Sequence, residues 1–200
     1  MADTIETHKD HLCELDGVIG DADHGITMSI GFTAVREAVG ELPPADTTPT
    51  DILNTAAKSF LSAVGASAGP LYATAFMRAA ASVKGQSFLT VEHMATAIEA
   101  MAEGIQIRGK AEAGDKTMLD AWLPAAEAAR ENRSCGDMSQ LLSAVAAAAH
   151  QGAEDTIPLI AKKGRSAKLG ERTRGHKDAG AASTALLLQA LADTAATSQV

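Results

Sequence analysis

Asp16, Asp21 and Asp23 lie together in the run LDGVIGDADHGITM, which leads straight into His24 and Gly25. Carboxylates this close repel one another, so such a cluster either retains protons or binds a cation. Oxygen donors suit a hard divalent ion such as Mg2+ or Ca2+ better than zinc. In an extended segment Asp21 and Asp23 would point to the same side, with Asp16 about a turn back at the end of a helical pattern, and the three would converge. Gly17, Gly20 and Gly25 permit the tight backbone this needs. A helix should start near Ile26. Its open amides after His24 and Gly25 would face an anion, with His24 as a further donor. The run thus offers metal ligands and phosphate donors side by side. The competing reading is a structural turn, but N-capping explains one aspartate, not three with a histidine. An EF-hand fits less well, because its continuing oxygen ligands and closing Glu are missing.

Two further segments could meet a ligand. Gly65 to Pro70, GASAGP, separates two apolar helical patterns with small residues only, which lets a ligand approach the backbone closely. It lacks the Gly-Lys-Ser/Thr of a Walker A loop, and an ordinary turn is its simpler reading. From Lys162 to Asp178 the chain gathers Lys162, Lys163, Arg165, Lys168, Arg172, Arg174 and Lys177 against Glu171 and Asp178. Charge runs are usually solvated surface, yet a glycine-punctuated basic loop in an acidic protein also suits a phosphate or a partner's acidic patch.

These segments need a scaffold. With 200 residues, 46% apolar and 21% charged, the chain fits one domain over residues 1–200 with a sizeable core. Aromatic content of 3% and heavy use of Ala in the apolar stretches favour closely packed helices over sheets, so the fold class is all-α. The net charge of −8 argues against a nucleic-acid partner. Cys13 and Cys135 have no metal-type spacing and are too few for a disulfide framework. With a polar N-terminal stretch and no long apolar run, the expectation is a soluble cytoplasmic protein with no membrane partner.

Helix signals recur along the chain. Thr48, Pro49 and Asp51 form a capping signature before Ile52, Leu53, Ala56, Phe60, Leu61 and Val64. From Thr90 the stripe Val91, Met94, Ile98, Met101 and Ile105 follows helical steps. Asp137 with Gln140 resembles a cap before Leu141. The last helix, near residues 180–195, is apolar on nearly all sides and should be buried. Pro124 should bend the pattern that begins near Thr117, or delay its start.

Four ordered blocks carry a resemblance over nearly the whole chain: LDGVIGDADHG, GASAGPLYAT from Gly65, RGKAEAGDKTMLDAW from Arg108, and GRSAKLGERTRGHKDAGAAS from Gly164. The sequence resembles the DhaL family, the nucleotide-binding subunits of dihydroxyacetone kinase. That resemblance implies a barrel of about eight antiparallel helices whose loops at one end bind ADP or ATP through two Mg2+ ions. It implies Asp16, Asp21 and Asp23 as magnesium ligands, and phosphate contacts from His24, Gly25, Ile26 and Thr27. Ala66 and Ser67 would also lie by the phosphates, Gly109 and Met118 would border the adenine, Arg165 would reach the nucleotide, and Asp178, Ala179 and Gly180 would close over it. Only the resemblance separates Met118 from core filler.

The implied activity is phosphoryl transfer to dihydroxyacetone or a similar short ketose held on a separate K-type subunit. The phosphoryl donor is either exchanging ATP or a phosphotransferase-system protein that recharges bound ADP. A homodimer is left open. Departures from the family pattern are Ala22 in place of glycine, which suits only a position without positive φ, the hydroxyl at Ser67 rather than one position later, Lys168 for an aromatic residue, and Ala179 for proline. The customary first helix should be shortened or missing. Two other readings stand beside the kinase: a non-catalytic nucleotide-binding module that contacts a transcription factor or other partner, and the nucleotide domain of a fatty-acid kinase, which usually carries further domains.

Overall fold

The computed structural model describes residues 1–197. Its helices are α1 (Ala2–Ile19), α2 (His24–Gly40), α3 (Pro49–Ala63), α4 (Ala68–Ser82), α5 (Val91–Gly109), α6 (Leu119–Asn132), α7 (Met138–Asp155) and α8 (Ala179–Thr197). A 3-10 segment, Ser166–Thr173, lies between α7 and α8, and no strand occurs among the described residues. The all-α expectation holds. Each helix packs on its chain neighbours and α8 packs back on α1, so the contacts close a ring.

Local chemistry sets the helix starts. Thr48 and Asp51 form a reciprocal capping box ahead of Pro49, and Thr90 with His93 forms another at α5. Asp137 Oδ1 accepts the Ser139 N–H at 2.8 Å and the Gln140 N–H at 3.3 Å. Each such cap contributes about 1 kcal/mol.

Helices rich in alanine pack closely where a side chain is absent altogether. Pro124 stands inside α6 and lacks the N–H that would bond the Asp120 carbonyl. Gly152 of α7 lies against that carbonyl and the Pro124 ring, so near that a Cβ there would overlap both. The larger groups gather elsewhere. Phe32, Phe60, Tyr72 and Phe76 form one aromatic cluster, with ring centroids from 5.2 Å to 6.4 Å apart, and α8 buries Ala181, Ala185, Leu187 and Leu188.

Several expectations need correction. The first helix is not missing: α1 runs from Ala2 and carries Asp16 near its end. Of the apolar set expected in α3, Ala56, Phe60 and Val64 are buried, but Ile52 and Leu61 are exposed, because the inward face also takes Ala57. The segment with Asp21 and Asp23 bends rather than extends, with Asp23 at φ −109° and ψ −6°. Ala22 does take a positive φ, 61°, the value expected to be unsuitable for it.

Candidate nucleotide and metal site

The loops after α1, α3, α5 and α7 meet at one cavity of about 440 Å³. These are every second connection of the ring, and they bring segments far apart in sequence to one cavity. The size suits a small ligand.

At the α1–α2 junction Asp16, Asp21 and Asp23 each offer an oxygen, and these atoms lie within 4.8 Å of one another. Asp16 Oδ2 accepts the N–H of Asp23 at 3.0 Å and that of His24 at 3.4 Å. Gly20 has no room for a Cβ beside the Asp16 carboxylate, so glycine is required there. The bend therefore aims three carboxylates at one point even though it is not extended.

Arg165, just ahead of the 3-10 segment, pairs its Nη1 with Asp21 and lies 3.7 Å from Asp23 Oδ2. A guanidinium drawn into the cluster shows that these carboxylates form a place for positive charge. Their all-oxygen chemistry fits Mg2+.

Asp16 takes the amide of Asp23, which precedes α2, and that of His24, which begins it, and Asp23 O takes that of Thr27 at 2.9 Å. The N–H groups of Gly25 and Ile26 remain as the open donors of this helix end. Their side-chain positions lie outside the cavity: Gly25 is buried against the Lys9 carbonyl of α1, and Ile26 is half exposed. His24 Nε2 is 2.9 Å from Ser183 Oγ, whose hydroxyl donates to Gly180 O at 3.0 Å. Burial holds the imidazole below its usual pKa, with Asp16 opposing that shift. The neutral ring thus spends its N–H on Ser183, and donation to a phosphate from Nδ1 requires its protonated form.

The other predicted residues line the same cavity: Thr27, Ala66, Ser67, Gly109, Met118, Arg165, Asp178, Ala179 and Gly180. Burial pushes the Asp178 carboxyl up to about 7; a hydrogen bond from the Ala181 N–H opposes this, Asp120 adds to it, Lys116 opposes it and Asp16 adds to it. The cavity also has an apolar lining from Leu71, Ile105, Ala111 and Leu119, which sequence reasoning did not single out. Lys116 and Asp120 were likewise passed over, although both stand in the block that begins at Arg108. A lysine and an aspartate at the start of a helix look like surface residues until burial is known.

A family model described as the DAK2 domain matches residues 18–193. The chain belongs to the DAK2 domain family. This DAK2 chain is 41% identical over 191 residues to the PEP-dependent dihydroxyacetone kinase 2, ADP-binding subunit DhaL of Listeria innocua, covering 96% of this chain and 88% of that one. It is 40% identical over 191 residues to the corresponding ADP-binding subunit of Escherichia coli, covering 95% and 90% of the two chains. Among solved structures it is similar to the dihydroxyacetone kinase of C. freundii in complex with AMP-PNP and Mg2+, with a TM-score of 0.72 and 26% identity. The match covers 96% of the DAK2 chain but only 32% of that longer kinase. Among the described residues no helix is long and apolar enough to cross a membrane.

Proposed function

We propose that this chain is the Mg-ADP/ATP-binding subunit of a dihydroxyacetone-type kinase, serving a short ketose held on a separate K-type subunit. The observation that carries this reading is the convergence of Asp16, Asp21 and Asp23 within 4.8 Å in a cavity that also holds Arg165 and the start of α2. The printed names of the ADP-binding relatives support it.

Asp16, Asp21 and Asp23 would hold Mg2+, which when bound neutralises polyphosphate charge and orients the terminal phosphoryl group. The amides of Gly25 and Ile26 supply further donors to the phosphates, and the small side chains of Ala66 and Ser67 leave room for them. Arg165, 60% exposed at its side chain, is long enough to leave Asp21 and Asp23 and follow the negative charge onto a phosphate. The base then falls to the apolar lining, among Leu71, Ile105, Gly109 and Met118. Asp178 to Gly180 cover this part of the cavity. Catalysis of this kind comes from positioning and charge neutralisation, with little covalent work by the protein.

The test combines the purified chain with a K-type subunit and dihydroxyacetone, supplying either ATP or ADP with a phosphotransferase-system donor. Formation of the sugar phosphate with one of the donors is expected. Mg-ADP binding without turnover under either condition would contradict the kinase reading and leave a non-catalytic module.

A further inference from the structure

Lys116 is a lysine only 2% exposed, with a left-handed backbone at φ 61°. Its ammonium donates to Thr156 O at 2.7 Å, to Leu159 O at 3.3 Å, and to His176 O. All three acceptors are backbone carbonyls from the segment between the end of α7 and the start of α8. The ammonium has three N–H bonds to give, and each finds a carbonyl. The same two stretches are joined again by Lys162 N–H to Asp115 O at 3.0 Å. On the far side, Thr156 Oγ1 accepts the Asp178 N–H at 3.0 Å, and Asp178 Oδ2 accepts the Ala181 N–H at 2.8 Å.

Met118 lies two residues beyond Lys116, and Gly180 two residues beyond Asp178. These two face each other across the cavity wall so closely that a Cβ on Gly180 would be 3.3 Å from Met118 Cβ. Where the α5–α6 and α7–α8 loops meet at the cavity, beside Met118 and Gly180, they are fastened by one buried cation. The three aspartates of the charged part belong to the α1–α2 junction, outside the stretches that Lys116 joins; Arg165 reaches Asp21 and Asp23 from the exposed part of the α7–α8 connection.

We infer that Lys116 is a positioning residue: its ammonium, bonded to three backbone carbonyls, fixes the wall against which the nucleotide's base packs. This rests on the function proposed above. A buried ammonium is costly, and burial lowers its pKa while Asp178 and Asp120 oppose that shift. Thr156 O also accepts the Leu159 N–H at 3.1 Å, so it is Leu159 O and His176 O that would be left unpaired without the ammonium. Lys116 thus governs the base end of the ligand, and the aspartates govern the phosphates.

The test compares Mg-ADP with Mg-pyrophosphate by calorimetry, with helix content followed by circular dichroism. Wild type should bind both. Lys116→Met should lose about tenfold or more in ADP affinity and keep pyrophosphate affinity within about twofold. Lys116→Gly, whose glycine accepts the positive φ, should regain ADP affinity as n-butylammonium is added, while its pyrophosphate affinity stays flat. This second variant decides the matter if Lys116→Met does not fold. Unchanged ADP affinity in Lys116→Met, equal loss of both ligands, or no response of Lys116→Gly to the amine would overturn the inference. Wild type that binds neither ligand would remove the functional reading as well, a result distinct from an indifferent variant.

Discussion

The Asp16 carboxylate accepts the backbone N–H of Asp23 at 3.0 Å and so ties the last turn of α1 to the start of α2. This gives Asp16 two duties, as a hydrogen-bond acceptor for the bend and as a metal ligand, and substitutions can separate them. Asp16→Asn keeps an acceptor oxygen and should unfold within about 0.5 kcal/mol of wild type without metal, whereas Asp16→Ala should lose about 1–2 kcal/mol. Both should lose Mg-dependent ADP binding. Denaturant unfolding beside calorimetry checks this, and an Asn variant as unstable as the Ala variant would count against the shared role.

Asp21 and Asp23 differ from Asp16 because Arg165 stands beside them. Clustered charge alone would make Asp21→Ala or Asp23→Ala stabilising in the absence of metal. With that exposed counter-ion present, the change should instead stay within about 1 kcal/mol in either direction. Arg165→Gln should tighten binding of Mg2+ alone, since a competing cation is gone, and weaken binding of ADP. Paired titrations of the metal with and without ADP read both effects; weaker binding of the bare metal would refute the competition.

Ala22 is held at φ 61°, a conformation that costs a residue with a Cβ about 1–2 kcal/mol. Ala22→Gly should therefore raise stability, by up to about 1 kcal/mol once the extra freedom of the unfolded chain is set against it. A fall in stability on chemical denaturation would show that the Ala22 methyl makes a packing contribution larger than its strain.

Asp178 makes stability depend on pH. Its carboxyl is raised from the usual 3.8 to about 7, first by burial, with Asp120 and Asp16 adding to the shift and the Ala181 N–H and Lys116 opposing it. The folded state thus keeps a proton that the unfolded chain releases near 3.8, so this contribution is fully present below that pH and lost as pH rises through about 7. His24, with its pKa lowered, slopes the other way as it protonates. The difference between wild type and Asp178→Asn removes the His24 contribution. Without metal or nucleotide, the variant should gain on wild type in thermal stability between pH 5 and pH 8. An unchanging difference across that range would contradict the shift.

The four loops that build the cavity are the four blocks by which the sequence could be compared with a family, and the acidic run among them was readable from charge density alone. Helix starts at Thr48, Thr90 and Asp137 were equally legible, because capping is a local property. What the sequence concealed depends on contacts distant in the chain. Ile52 and Leu61 fit the apolar stripe of α3, yet they are exposed, and Ala57, outside that stripe, is buried. Lys116 reads as surface until three carbonyls from the α7–α8 connection surround it. The conformation of Ala22 was misleading for a different reason: alanine where the family has glycine argues against a positive φ, yet the position takes one.

The most direct test of the account is a calorimetric titration of ADP into the purified chain, once with Mg2+ and once with the metal chelated. Binding that appears only with Mg2+, and that disappears in Asp23→Ala while helix content stays intact, is the predicted result. ADP affinity that is absent in both conditions, or indifferent to the metal, would contradict the claim that Asp16, Asp21 and Asp23 grip a nucleotide through magnesium.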